Sequence, residues 1–285
     1  MQVRELSKYF NSLKGRSVRK RPDYQTVYLR GGLGSQILQM IEFINRKKLN
    51  HFQTFFDSTY YLENRIFQED SGLTHWKWEL GHYGIALPSS NEKSEYSSKL
   101  RPLSDLEHIA FIRKYNLLHI TNEIIDIFPI LSSQEKKMRT IFKNGNVANY
   151  GVIHIRKGDY LKVATKIFGT KEISTLLSRI GDIVPPDVVI LSDGALSERE
   201  KDILGLKLRN PIFVDSTNNQ DKFLAHDLMR EAHVLITGNS TFSFSAALLN
   251  NITDARIFFP TDWYGGSNPN WSSVFQDFSD FAIFR

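Results

Sequence analysis

The sequence predicts an α/β protein in two halves, and three observations predict it. From Gly151 onward, short β-branched apolar runs alternate with helix-like segments, the pattern of a parallel sheet with covering helices. Two of those runs, around Val152, Ile153 and Ile155 and over Val234-Leu235-Ile236, read as strands buried on both faces. Near the start of the chain the order strand, glycine turn, helix occurs once more.

Taken in order, residues 24–30 (YQTVYLR) predict a strand, and Gly31-Gly32-Leu33-Gly34 a turn. A helix is predicted from about Ser35 to Leu49, where Ile37, Leu38, Ile41 and Ile44 recur at helical spacing. The glycines either let backbone approach a ligand or simply pack helix on strand. They are not a dinucleotide fingerprint, since the third glycine of G-x-G-x-x-G falls at Ile37. Residues 51–130 are aromatic-rich and irregular, with Trp76, Trp78, Tyr83 and Phe111, and with breaks at Leu87-Pro88-Ser89-Ser90 and Arg101-Pro102. Such aromatics suit sugar rings and ordinary core packing alike. A helix over Gln134–Phe142 and the break Asn144-Gly145-Asn146 end the first half. The second half then predicts strand 151–156, helix 171–180, strand 187–192, helix 197–204, strand 211–215, helix 220–232 and strand 234–237. An Ala-rich helix follows from Phe242 to Leu249.

The composition, 41% hydrophobic and 24% charged over 285 residues, is that of a globular chain with ample material for buried cores. There is no cysteine, which excludes disulfides and thiolate metal sites. No apolar run approaches the ~18–20 residues of a membrane span, and residues 1–22 lack a signal-peptide core. Those residues form a basic arm instead: Arg4, Lys8, Lys14, Arg16, Arg19, Lys20 and Arg21 stand against Glu5 alone, a net of +6. The chain total is +5, so the other 263 residues sum to −1 and the pI of 9.2 describes the arm. An anionic membrane surface, nucleic acid and plain solvent are each compatible with such an arm. No zinc spacing or RNA-binding motif favours nucleic acid.

Chemistry concentrates in two segments. In Gly151–Tyr160 (GVIHIRKGDY), a strand delivers His154, Arg156, Lys157 and Asp159 around the permissive Gly158. Strand ends are where open α/β sheets hold ligands, and a guanidinium holds phosphate in a planar fork. In His233–Asn250 (HVLITGNSTFSFSAALLN), a strand meets Gly238-Asn239-Ser240-Thr241 and then a helix. That order points amides and a positive dipole end at an anion, with hydroxyls of Ser240, Thr241 and Ser243 as further donors. Asn, Ser and Thr are also ordinary N-caps. Together the two segments predict a diphosphate pocket.

HIRKGDY resembles the H-x-R-R-G-D-Y motif of family 11 glycosyltransferases, inverting α-1,2-fucosyltransferases that use GDP-fucose. Four further matches follow the family's order. YLRGGLGSQILQ (28–39) is similar to its G-G-L-G-N-Q-x-x-Q loop, VILSDG (189–194) to its S-D-D segment, and LITGNSTFSFSAALLN to its I-x-x-N-S-T-F-S-W-W-A-A-x-L stretch. FPTDW (259–263) followed by Trp271 is similar to its P-x-x-W ending. Lys157, Ser35, Gly194 and the pair Phe244-Ser245 depart from the family's Arg, Asn, Asp and Trp pair, so this chain resembles a divergent member.

The resemblance implies a GT-B architecture, two Rossmann-like domains facing a central cleft. Residues 23–146 would be the acceptor side and 147–285 the donor-binding domain. It implies GDP-fucose as donor, a glycan hydroxyl such as O2 of galactose as acceptor, and work in the cytoplasm, peripheral to the membrane where the arm engages it. Donor-binding residues would be Gly32, Gly34, Arg156, Lys157, Gly158, Ser192, Asp193, Asn239, Ser240, Thr241 and Phe242. Arg156, Asp159 and His154 would be catalytic. Asp159 fits a general base, or a partner of the turn at Gly158 or of Arg156. His154 fits a diphosphate contact or a filled strand position, and Asp193 a nucleotide edge or a helix cap. No D-x-D pair occurs to bridge a cation and a diphosphate, so no metal is expected and protein groups must meet the leaving-group charge. The chain lacks the P-loop lysine and G-x-S-x-G. A same-fold transferase using another nucleotide sugar, and a non-catalytic glycan- or nucleic-acid-binding protein, are the rival classes.

Overall fold

A computed structural model of the chain describes residues 24–29, 31–49, 53–57, 61, 77–87, 121–142, 148–157, 169–215, 222–260 and 281–284. It packs as two units that divide between Ile127 and Phe128. Both are α/β.

In the first unit, β1 (Tyr24–Tyr28) and β2 (Gln53–Asp57) run parallel, with Tyr24 opposite Gln53 and Tyr28 opposite Asp57. A parallel pair needs a long crossover, which α1 (Leu33–Leu49) supplies. The turn between β1 and α1 rests on Gly31, whose φ of +80° is one that glycine adopts without steric cost. The Gly31 carbonyl accepts from Tyr61 Oη and Gln36 Nε2, each at 2.8 Å. Gln36 is buried and fully used: Nε2 also donates to the Lys77 carbonyl, and Oε1 accepts the Glu79 amide. Ile37, Leu38 and Ile41 are buried, as their spacing predicts. The helix begins two residues earlier than the sequence predicts, so Gly34 lies in its first turn rather than in the loop. Val27, Leu29 and Tyr61 form a small core joined by Phe43, Trp78 and Leu87. A 3-10 turn (Leu80–Tyr83) and a short α2 (Asn122–Asp126) complete the described part.

The second unit carries a six-stranded sheet. After α3 (Ser132–Ile141) come β3 (Gly151–Ile155), α4 (Thr170–Ile180), β4 (Asp187–Ser192), α5 (Glu198–Gly205) and β5 (Asn210–Asp215). Then follow α6 (Lys222–Arg230), β6 (Val234–Ile236), α7 (Thr241–Leu248), β7 (Arg256–Pro260) and β8 (Phe281–Phe284). The spatial order is β5-β4-β3-β6-β7-β8, parallel except for the β7–β8 pair. Counted from β3, the parallel strands lie 3-2-1-4-5, the doubly wound Rossmann order. The chain leaves β3 toward one edge and returns through β6 toward the other, so the order reverses between those two strands.

Burial follows from the strand compositions. All five residues of β3 and all three of β6 are buried. Ile153, Ile155, Val188, Ile190 and Ile236 join Ile173, Leu176 and Leu177 of α4 in the main core. Helix α7 is covered on every side from Ser243 to Leu248, as an apolar helix requires. The sequence division at 146 differs from the one found. Helix α3 packs on α6, Phe128 is buried, and the Phe142 ring lies 4.8 Å from that of Tyr150, so residues 128–146 belong with the second unit. Among the described residues, no helix is long and apolar enough to cross a membrane.

Candidate functional site

The reversal of strand order puts the C-terminal ends of β3 and β6 side by side, and both chemistry-bearing segments leave the sheet there. The link between them is Gly238. A Cβ on Gly238 would lie 3.0 Å from the His154 carbonyl oxygen, 3.2 Å from the Arg156 amide nitrogen and 3.2 Å from His154 Nδ1. Only a residue without a side chain brings the β6–α7 turn this close to β3.

Beyond Gly238, Asn239 is buried and Ser240 caps α7, its hydroxyl accepting the Phe242 amide at 3.2 Å. Ser243 Oγ donates to the carbonyls of Gly238 and Ser240 at 3.1 and 3.2 Å, which holds the turn against the helix start. Thr241 and Phe242 are the first two helical residues, and first-turn amides have no intrahelical acceptor. The Phe242 ring lies between two imidazoles, 5.8 Å from His154 and 5.3 Å from His226.

On β3, His154 is 3% exposed and its Nδ1 finds no hydrogen-bond partner among the described residues. Burial pushes the imidazole down to about 4; the Asp193 carboxylate opposes that shift and the Arg156 guanidinium adds to it. The ring is therefore neutral near pH 7 and contributes a hydrogen-bonding edge rather than a charge. Arg156 follows the strand end, 17% exposed, with Nη1 at 2.6 Å from Asp193 Oδ2. The neighbouring backbone amide, that of Lys157, donates to Asp193 Oδ1. Asp193 thus grips both residues at the exit of β3, and in this structure its carboxylate serves them. Ser192 Oγ donates to the Gly194 carbonyl at 2.6 Å, bracing the same loop.

The Lys157 ammonium takes a different course. It donates to Glu200 Oε2 at 2.7 Å and to the Ala195 carbonyl at 2.9 Å, both on the β4 side of β3 and so opposite to β6. Glu200 also accepts the Ser197 amide and hydroxyl in a capping box, and these partners hold its carboxyl down at about 2 against the burial that would raise it. The neutral imidazole thus meets the α7 start at the Phe242 ring, while the Arg156 guanidinium and the Lys157 ammonium leave the same strand end toward Asp193 and Glu200 on the β4 side.

Gly158 and Asp159 lie outside the described residues, as do the basic arm, Thr261–Trp263 and Trp271. Gly32, whose carbonyl accepts the Gln36 amide at 3.0 Å, and Gly34 belong to the first unit. The sequence singled out neither Glu200 nor His226. Glu200 carried a signal, the S-x-x-E capping pattern at Ser197. His226 carried only its place on an apolar helix; it is buried, with Nε2 at 3.0 Å from Ser245 Oγ, which donates to the Phe242 carbonyl at 2.9 Å.

Fold and site define an α/β protein whose strand order reverses between β3 and β6, with a neutral imidazole and a helix N-terminus at that point and a guanidinium just past the end of β3. No family model matches the sequence, and no curated protein does. Among solved structures, the chain is similar to fucosyltransferase NodZ from Bradyrhizobium, with TM-score 0.46 and 12% identity over 87% of this chain and 97% of that one. It is also similar to POFUT1 in complex with GDP, with TM-score 0.37 and 13% identity over 48% of this chain. That second match spans about half of the POFUT1 chain, 50%.

Proposed function

We propose that this chain is a metal-independent, inverting glycosyltransferase of GT-B type that moves fucose from GDP-fucose to a glycan hydroxyl, O2 of galactose being the acceptor its motifs imply. The observation that carries this is the close approach at Gly238, which joins the Arg156 segment to the start of α7 at the sheet's switch point. Two nucleotide phosphates would sit there, one against the guanidinium and one against the first-turn amides of α7. The acceptor oxygen attacks the anomeric carbon as the bond from that carbon to the β-phosphate oxygen breaks. GDP leaves with the electron pair, and the acceptor proton passes to a carboxylate, for which the motif offers Asp159. Fixed donors around the departing diphosphate need not reorganise as charge develops, and each is typically worth ~2.7–4 kcal/mol of barrier.

The test is release of GDP and labelled product across a panel of nucleotide sugars, with EDTA present, for wild type and Arg156→Ala. Turnover of GDP-fucose is expected, falling about 10²–10³-fold in the variant while its melting temperature stays close to wild type. Undiminished turnover by Arg156→Ala, or turnover confined to a different nucleotide sugar, contradicts the assignment.

A further inference from the structure

Arg156 can serve a diphosphate only if its guanidinium is held in one place, and one carboxylate in the second unit is arranged to hold it. β3 and β4 run in parallel register, with His154 opposite Leu191 and Ile155 opposite Ser192. The next step along both strands brings Asp193 beside Arg156. Both carboxylate oxygens face this strand end, Oδ2 in ion-pair contact with Arg156 Nη1 at 2.6 Å and Oδ1 accepting the Lys157 amide. The amide bond fixes where the carboxylate sits, and the ion pair then fixes the guanidinium to it. The pair is largely withdrawn from water, at 17% and 23% exposure, so it is screened less than a surface pair. The Ser192–Gly194 bond keeps the loop that presents it short and closed.

We propose that Asp193 is a positioning residue: it sets the Arg156 guanidinium for a nucleotide diphosphate and makes no contact of its own with the nucleoside. This rests on the function proposed above. If it is right, removing the carboxylate harms only what Arg156 does.

The test is a double-mutant cycle read by calorimetric affinity for GDP, inorganic pyrophosphate and guanosine, using the full chain. Asp193→Asn is expected to weaken GDP and pyrophosphate by about tenfold or more while guanosine affinity is unchanged, and Asp193→Glu to recover part of the loss. In an Arg156→Ala background, Asp193→Asn is expected to change nothing further. Additive losses, or a loss of guanosine binding, overturn the positioning role while leaving the transferase assignment standing. If the wild type binds neither GDP nor pyrophosphate, the proposed function fails and this role fails with it. Should Asp193→Asn not fold, the cycle is run with Asp193→Glu against Arg156→Lys, where independent effects again overturn it.

Discussion

A methyl group on Gly238 would sit 3.0 Å from the His154 carbonyl oxygen of β3 and 3.2 Å from the Arg156 amide nitrogen just past its end. Backbone in the middle of a sheet cannot step aside as a flexible side chain can, so Gly238→Ala must push the β6–α7 turn off β3. The expected cost is ~1–3 kcal/mol, as for other overpacked sites, read as a lower melting temperature together with weaker GDP binding. His154 gives a second prediction at this scale. Its folded value of about 4 lies below the ordinary imidazole value of 6.5, so the native state binds fewer protons than the unfolded chain between those limits. That contribution to stability is complete above pH 6.5 and is lost as pH falls toward 4. Asp227 acts in the opposite sense. Burial raises it to about 7, so its contribution is present below 3.8 and is lost as pH rises. The net curve mixes the two, which makes the variant comparison decisive: wild type minus His154→Gln should show stability falling from pH 6.5 to 4. A flat difference would mean that the ring titrates normally. The strand end in HIRKGDY and the turn and helix start in GNSTF were legible, which placed Arg156 just past a strand and Ser240 at a helix cap. The pairings were not, since Arg156 meets Asp193 past the ends of neighbouring parallel strands and Lys157 meets Glu200 on α5.

The element that does most for the site is α7. Its eight residues are nearly all small or apolar and leave few choices for its cap, which falls to Ser240. Ser240→Ala removes the acceptor for the Phe242 amide and should cost about 1 kcal/mol of stability. Because that amide belongs to the same first turn as those proposed to meet phosphate, GDP affinity is expected to fall with it; a variant that loses stability but binds GDP like wild type would place the ligand elsewhere. Alternation of apolar runs with helical spacing was enough to find β3, β4, β5, β6 and the helices between them. It missed β2, β7 and β8. QTFFD, RIFFP and FAIF are Phe-centred runs that periodicity alone does not separate from core segments of other kinds. The antiparallel β8 pairs with β7, Phe281 opposite Pro260 and Phe284 opposite Ile257.

For the whole molecule, strand order is the property that matters and the one local sequence does not carry. Alternating strands and helices allow several sheets, and only tertiary packing sets β6 rather than β5 against β3. The unit boundary is of the same kind. The Asn144-Gly145-Asn146 break looks like a linker, yet α3 before it packs on α6. A fragment of residues 128–285 should therefore unfold cooperatively and at a higher temperature than one of residues 147–285, which loses Phe128, Met138 and Phe142 from its core. Equal melting curves would return α3 to the first unit. The central claim, a diphosphate held where the sheet reverses, is tested most directly by locating the phosphorus atoms in a crystal of the chain with GDP. The account predicts both phosphates beside the Arg156 guanidinium and the first-turn amides of α7. An ordered diphosphate anywhere else, or none at millimolar GDP, contradicts it.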